Sequence, residues 1–143
     1  MNRTQKNGLI VALVAIDAIV IASKILNAGW LLVLFGLPIL IHLAFHTVVS
    51  IRALNRIAAF PDTPRFWTVL LITCNASLLT GYMLLPDFGD IPVYTVFFGL
   101  IQVDGSFRDL PSFVSGLLIS MPFLIGVSFL LSLVLAFIGF RKK

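Results

Sequence analysis

Glutamate is absent from this 143-residue chain, and charged residues of all kinds make up only 11% of it. A soluble globule needs more charge than this to cover its surface. Hydrophobic residues reach 59%, and the mean hydropathy is +1.09. These values exclude a soluble protein, and the length leaves room for one domain, residues 1–143. The solvent of this domain is predicted to be the lipid bilayer.

Cysteine occurs once, as Cys74, which excludes an internal disulfide and any cysteine-based metal cluster. Because Cys74 lies in an apolar stretch, it is interpreted as a small buried hydrophobic residue. Glycine-rich phosphate loops, acidic clusters for magnesium and a nucleophile elbow are also missing from the sequence. Enzymatic activity is therefore uncertain and not favoured.

The net charge of +4 raises the question of nucleic acid as a partner. Nucleic-acid binding needs Lys and Arg gathered on a wetted face, whereas here they lie at the ends of apolar segments. No nucleic-acid partner is expected.

Four apolar stretches have the length of about 20 residues that crosses a bilayer as a helix. They are residues 8–27, 30–51, 66–86 and 113–140. The last is long enough to tilt, or to bend at Pro122. The sequence therefore predicts an all-α, polytopic four-transmembrane-helix bundle, with a partly ordered extracytoplasmic loop at residues 87–112.

Positive charges are distributed unequally between the two ends of these spans. With both termini on one side, that side collects Arg3, Lys6, Arg52, Arg56, Arg65, Arg141, Lys142 and Lys143. Only Lys24 and Arg108 fall on the other side. Cytoplasmic ends carry such an excess, which predicts a multi-pass inner-membrane protein with cytoplasmic termini. A signal peptide cleaved near Ala22 is the alternative, but Asp17 would interrupt its apolar core.

The loop between the third and fourth spans has an apolar middle, residues 91–103, that is too short to cross a bilayer. It is predicted to form either a β-hairpin, with a turn signal at Asp104-Gly105, or an interfacial helix. It either packs as a lid over the bundle or contacts a protein partner. Tyr94, Phe97 and Phe98 are the candidate partner contacts, because exposed aromatic patches mark interaction sites.

Each span carries a polar side chain near its middle. Asp17, His42, Asn75 and Ser132 lie roughly 16, 15, 15 and 13 Å from the nearest cytoplasmic cation in the sequence, at about 1.5 Å per helical residue. An ionisable group at such depth costs at least about 2.5 kcal/mol to insert, so it needs a partner or a function. We predict that Asp17 faces His42 across the first helical hairpin, and that Asn75 or Ser132 completes the layer.

Two interpretations of this layer remain open. It is either a set of interhelical hydrogen bonds that fixes the helix register, or a proton or ion path. In the second case, His46 and Ser50 continue the path from His42 towards the cytoplasm. His42, His46 and Ser50 recur every four residues and so share one helical face.

The same two histidines, His42 and His46, are also candidate metal or haem ligands, since imidazoles one turn apart suit a divalent ion. No cofactor is required by the sequence.

Three functions follow from these alternatives. The first is a non-enzymatic accessory or oligomeric subunit that acts by helix–helix and loop contacts, with a protein partner or a second copy of the chain. The second is a proton-coupled transporter or ion channel that uses the Asp/His relay. The third is a haem- or metal-binding membrane redox protein.

Overall fold

The structure is a computed structural model that describes residues 3–26, 30–60, 65–85, 87–88, 93–96, 101–104 and 112–140. Four α-helices account for most of this part of the chain. They are α1 (Arg3–Leu26), α2 (Trp30–Ala59), α3 (Arg65–Leu84) and α4 (Ser112–Phe140). All four are long and apolar enough to cross a membrane. The predicted bundle of four helices of membrane-spanning length is confirmed.

Helix α2 extends further than its predicted span. It continues through Arg52 and Arg56 to Ala59, and the amide of Phe60 still donates to the carbonyl of Arg56 at 3.1 Å. Hydropathy falls at the first arginine, but nothing in the sequence breaks the helix before Pro61, which disfavours helical geometry in the residue before it. The membrane-crossing segment and the helix therefore end at different residues.

The helices alternate in direction, as two core clusters show. One cluster contains Leu13, Val49, Ala53, Leu54, Leu71, Cys74 and Leu135. The other contains Val20, Ile39, Leu43, Leu78, Tyr82 and Leu85, with Met121 and Ile125 packed against it. From the first cluster to the second, residue numbers rise in α1 and α3 and fall in α2 and α4. The first cluster therefore lies at the end where Arg3, Lys6, Arg56 and Arg65 gather, which we call the arginine end.

The outer faces of the helices are apolar. Val33 in α2 is 75% exposed and Phe137 in α4 is 77% exposed. Large apolar side chains outside and polar ones inside suit a protein whose surrounding solvent is hydrocarbon.

Three short strands lie between α3 and α4. They are β1 (Asp87–Phe88), β2 (Val93–Val96) and β3 (Ile101–Asp104), and they pair antiparallel in the order β1-β2-β3. Of the two predicted conformations for residues 91–103, these strands match the β-hairpin. Its turn was placed wrongly, because Asp104 pairs with Val93 inside the ladder and the connection is residues 97–100. Tyr94 lies opposite Val103 in this hairpin, whereas Phe97 and Phe98 lie outside the described residues.

Candidate functional site

The polar side chains that the sequence singled out lie inside the bundle. Less than a tenth of the surface of each is exposed, and the set comprises Asp17, His42, His46, Ser50, Asn75 and Ser132. Ser128 in α4, which the sequence did not single out, is also buried. On α2, His42, His46 and Ser50 follow one another at four-residue intervals along the buried face, as their spacing predicts. Burial alone does not determine which of these side chains contact one another.

Asp17 is held between α1 and α2 by two neighbouring residues of α2. Its Oδ1 lies 3.4 Å from Nδ1 of His46. The Thr47 hydroxyl donates a hydrogen bond to Oδ2 of Asp17. The geometry of the Asp17–His46 contact is not that of a hydrogen bond, and within the described chain neither of those two atoms has another hydrogen-bond partner. The carboxylate and the imidazole thus form a close pair in which Asp17 Oδ1 and His46 Nδ1 can each still form a hydrogen bond.

The predicted partner of Asp17 was wrong by one helical turn, since Asp17 pairs with His46 and not with His42. The prediction placed Lys6 and Arg52 at the same depth. Along antiparallel helices, however, the residue eleven positions before Asp17 lies level with the residue eleven positions after His46, and these are Lys6 and Ile57. Arg56, rather than Arg52, is therefore the cation of α2 that lies near the level of Lys6.

Thr47 has two acceptors for its single hydroxyl proton. Besides Asp17, it donates to the carbonyl of Leu43 in its own helix at 2.9 Å. One proton serves one acceptor at a time. When Asp17 is ionised, it accepts the hydrogen bond from Thr47. When Asp17 is protonated, it can donate a hydrogen bond to Thr47 Oγ1 while Thr47 donates to the carbonyl of Leu43. The carboxyl group therefore has a hydrogen-bond partner in both protonation states.

The other ring nitrogen of His46 faces the arginine end. Its Nε2 lies 3.3 Å from Oγ of Ser50, one turn further along α2. Both residues are completely buried. His46 therefore connects a carboxylate on one side of its ring to a hydroxyl on the other.

His42 belongs to a second group of contacts, nearer the far end of the bundle. Its Nδ1 lies 2.9 Å from the hydroxyl of Tyr82 in α3, and its Nε2 lies 3.5 Å from Oγ of Ser128 in α4. In the neutral tautomer of His42 that leaves the 2.8 Å hydrogen bond from Ser128 to the carbonyl of Ile125 intact, the proton lies on Nε2. Nδ1 then accepts from Tyr82.

Cys74 connects the two groups. The thiol donates to the carbonyl of Ser128 at 3.4 Å and lies 3.3 Å from Oγ of Ser132. It also interacts with the imidazole of His46. The interpretation of Cys74 as a buried small residue is confirmed, but its sulfur additionally joins α3 to the polar groups of α2 and α4.

Asn75 does not complete the predicted layer. Its amide nitrogen donates to the carbonyl of Leu71 in the same helix at 2.8 Å, and its Oδ1 has no hydrogen-bond partner among the described residues. Ser132 reaches the layer through Cys74.

Lys24 is buried at the end opposite the arginines. Only 3% of it is exposed, and its Nζ donates to the carbonyl of Leu85 at 2.6 Å, one residue beyond the end of α3. A lysine near the last carbonyls of a helix satisfies orphan acceptors. This cation therefore serves packing rather than the membrane surface.

Besides Cys74 and Ser128, two hydroxyl-bearing residues of the site, Thr47 and Tyr82, were not among the predicted site residues. Each had a signal in the sequence, because a hydroxyl inside an apolar span needs a partner. Thr47 follows His46 directly, and Tyr82 lies seven residues from Asn75 on one polar side of α3.

The metal interpretation of His42 and His46 finds no third ligand in this part of the chain. Across the described residues, no group of three or more His, Cys, Asp or Glu side chains is placed to hold a metal ion. The haem interpretation stays a hypothesis.

Comparison with known proteins gives no relative from which a function could be transferred. The chain matches no protein-family model, no curated protein and no solved structure. Any function must therefore be inferred from the chemistry of the core.

Proposed function

We propose that this protein is a small proton-coupled transporter or ion channel in which Asp17 and His46 hold and pass the proton. The observation that carries the proposal is the pairing of a buried carboxylate with a buried imidazole at 3.4 Å, in a bundle of membrane-spanning length. Ionisable groups at such positions mark proton and ion pathways in membrane proteins.

The environment of Asp17 suits a group that gains and loses a proton. A purely structural carboxylate is best served by a fixed set of donors, because an unsatisfied buried acceptor costs about 1–3 kcal/mol. Here Thr47 supplies a partner to either protonation state by changing its acceptor between Asp17 and Leu43. The carboxyl can therefore change its charge without losing its hydrogen bond.

Further side chains that can carry a proton lie on both sides of this pair. Towards the arginine end, His46 meets Ser50. Towards the far end, the Cys74 thiol donates to the backbone carbonyl of Ser128, the hydroxyl of Ser128 lies 3.5 Å from Nε2 of His42, and His42 meets Tyr82. An imidazole moves a proton by accepting at one nitrogen and releasing from the other. The two histidines are accordingly proposed as the relay, and the hydroxyls as its connections.

Asp17→Asn tests this proposal, because it keeps the size of the side chain and removes the titratable oxygen. We expect at least a tenfold loss of proton flux in proteoliposomes loaded with a pH-sensitive dye, since a tenfold change corresponds to only about 1.4 kcal/mol. Ser77→Ala is the control, as Ser77 is buried in α3 but absent from the contacts described above.

Equal flux from wild type and Asp17→Asn, with Ser77→Ala also unchanged, would overturn the proton function. The remaining interpretation would be the accessory or oligomeric subunit, in which the polar groups only fix helix packing at about 0.6–2 kcal/mol per contact.

We further propose that the protein resides in the bacterial inner membrane with both termini in the cytoplasm. Support comes from the arginine end, where Arg3, Lys6, Arg56 and Arg65 gather, and from the burial of Lys24 at the other end. Fusions to green fluorescent protein and to alkaline phosphatase after residue 143 test it. We expect fluorescence and no phosphatase activity, and the reverse for fusions truncated after Leu85. The opposite pattern would show that the bundle is inverted.

A further inference from the structure

An apolar groove between α2 and α4 has two buried polar residues in its lining. It has a volume of about 540 Å³. Its walls include the rings of Phe35, Pro38, Pro122 and Phe129, and each of these four residues is exposed on the outer face of its helix. The groove therefore opens sideways, towards the hydrocarbon.

His42 and Tyr82 form the polar part of this lining. They are 8% and 3% exposed, and the nitrogen and oxygen that join them lie 2.9 Å apart. A pocket of about 300–1,000 Å³ with apolar walls and few polar groups is typical of small-molecule sites. A lipid acyl chain could fill such a groove, but it would leave the polar groups unused.

The proton positions determine which headgroup the groove accepts. In the neutral tautomer of His42 that preserves the Ser128–Ile125 hydrogen bond, the proton lies on Nε2, and Nδ1 accepts a hydrogen bond from the Tyr82 hydroxyl. The phenol oxygen of Tyr82 then keeps a lone pair but has no proton to offer. A ligand that meets Tyr82 must therefore bring a donor.

We propose that the groove binds a lipid-soluble phenol, a flat hydroxylated ring with an alkyl tail. The ring lies between the side chains of Phe35 and Phe129, its hydroxyl donates to the oxygen of Tyr82, and its tail extends into the bilayer. Two aromatic rings and two proline rings around the groove favour a flat ring over a branched headgroup. Binding there does not depend on proton movement through Asp17 and His46.

Binding is measured with radiolabelled 4-decylphenol on the full chain in lipid nanodiscs, with empty nanodiscs subtracted. We expect saturable binding of one molecule per chain. The methyl ether 4-decylanisole has the same ring and tail but no donor, so it should bind about tenfold more weakly, the worth of one buried hydrogen bond. Tyr82→Phe should abolish this preference for the phenol.

Gly126→Leu tests the location of the site without removing a polar group. Gly126 lines the groove, and a Cβ built on it meets nothing within 4 Å, so the helix accepts a side chain that fills the groove. We expect at least a tenfold loss of 4-decylphenol binding. Gly116→Leu is the matched control, because Gly116 lies in the same helix, is equally open and does not line the groove.

Three results would overturn the proposal. Absence of saturable 4-decylphenol binding would remove the site. Unchanged binding in Gly126→Leu would place the ligand elsewhere. Equal affinity for the phenol and its methyl ether would exclude Tyr82 as the acceptor of the headgroup.

Discussion

Replacing His46 by leucine is expected to destabilise the bundle by about 2–3 kcal/mol, and adding Asp17→Val is expected to recover most of that loss. The single change leaves a buried carboxyl group without the imidazole that lies 3.4 Å away. Removing one partner of a buried pair costs more than removing both, because an uncompensated polar group remains in a medium of low polarity. Leucine is close to histidine in size, so packing changes little.

The measurement is a double-mutant cycle on unfolding free energies, obtained by titrating the protein in mixed micelles with sodium dodecyl sulfate. A coupling of about 1–2 kcal/mol between Asp17→Val and His46→Leu is expected for residues in contact. Asp17→Val with Ser132→Ala is the control pair. Ser132 is equally buried but contacts Cys74 rather than Asp17, so these two changes should add to within about 0.5 kcal/mol.

If the losses of unfolding free energy from Asp17→Val and His46→Leu were additive, the pairing would be contradicted. Two residues that do not interact show no coupling energy. A double mutant at least as stable as wild type would have a second meaning. It would indicate that the pair is kept for a reason other than stability, as the proton proposal requires.

The spans and the buried polar stripe could be predicted from the sequence because each depends on local information. Hydropathy over a 20-residue window is decisive where the solvent is lipid. The four-residue spacing of His42, His46 and Ser50 places them on one face of any α-helix, whatever its neighbours are.

The pairing across the hairpin could not be predicted in the same way, because it depends on how far one helix is shifted along another. That shift was taken from the charges, on the assumption that Arg52 marks the surface. Helix α2 instead runs on to Ala59, and the resulting shift of one turn exchanges His42 for His46 opposite Asp17. In the bilayer such shifts are set by small-residue packing and hydrogen bonds, which a single sequence does not resolve.

The groove between α2 and α4 could not be predicted from the sequence either. Pro38 and Pro122 are far apart in the chain, and only the packing of α2 beside α4 brings them to one opening. In the sequence alone, Pro122 indicates only a bend of its helix, and Pro38 indicates no function. Their joint position is a property of the assembled bundle.

The contact between α3 and α4 at Gly81 is expected to tolerate no side chain. A Cβ at this position would lie 2.9 Å from Cγ1 of Ile125, 3.1 Å from the backbone nitrogen of Ile125 and 3.2 Å from Cβ of Leu124. The Ile125 side chain can turn away, but its backbone nitrogen cannot move without moving α4. Small residues allow this close approach of helices in membranes, where packing replaces the hydrophobic effect as the driving force.

Gly81→Ala should therefore cost about 1–3 kcal/mol in the same unfolding measurement, the usual range for overpacking, even though alanine is the better helix former. Gly116→Ala is the matched control in α4. A Cβ there meets nothing within 4 Å, so the change should be neutral, or stabilising by up to about 1 kcal/mol through helix propensity. Equal stability of the two variants would mean that α3 and α4 do not approach each other at Gly81. A loss confined to Gly81→Ala would establish that approach, which holds Tyr82 beside α4 and the groove.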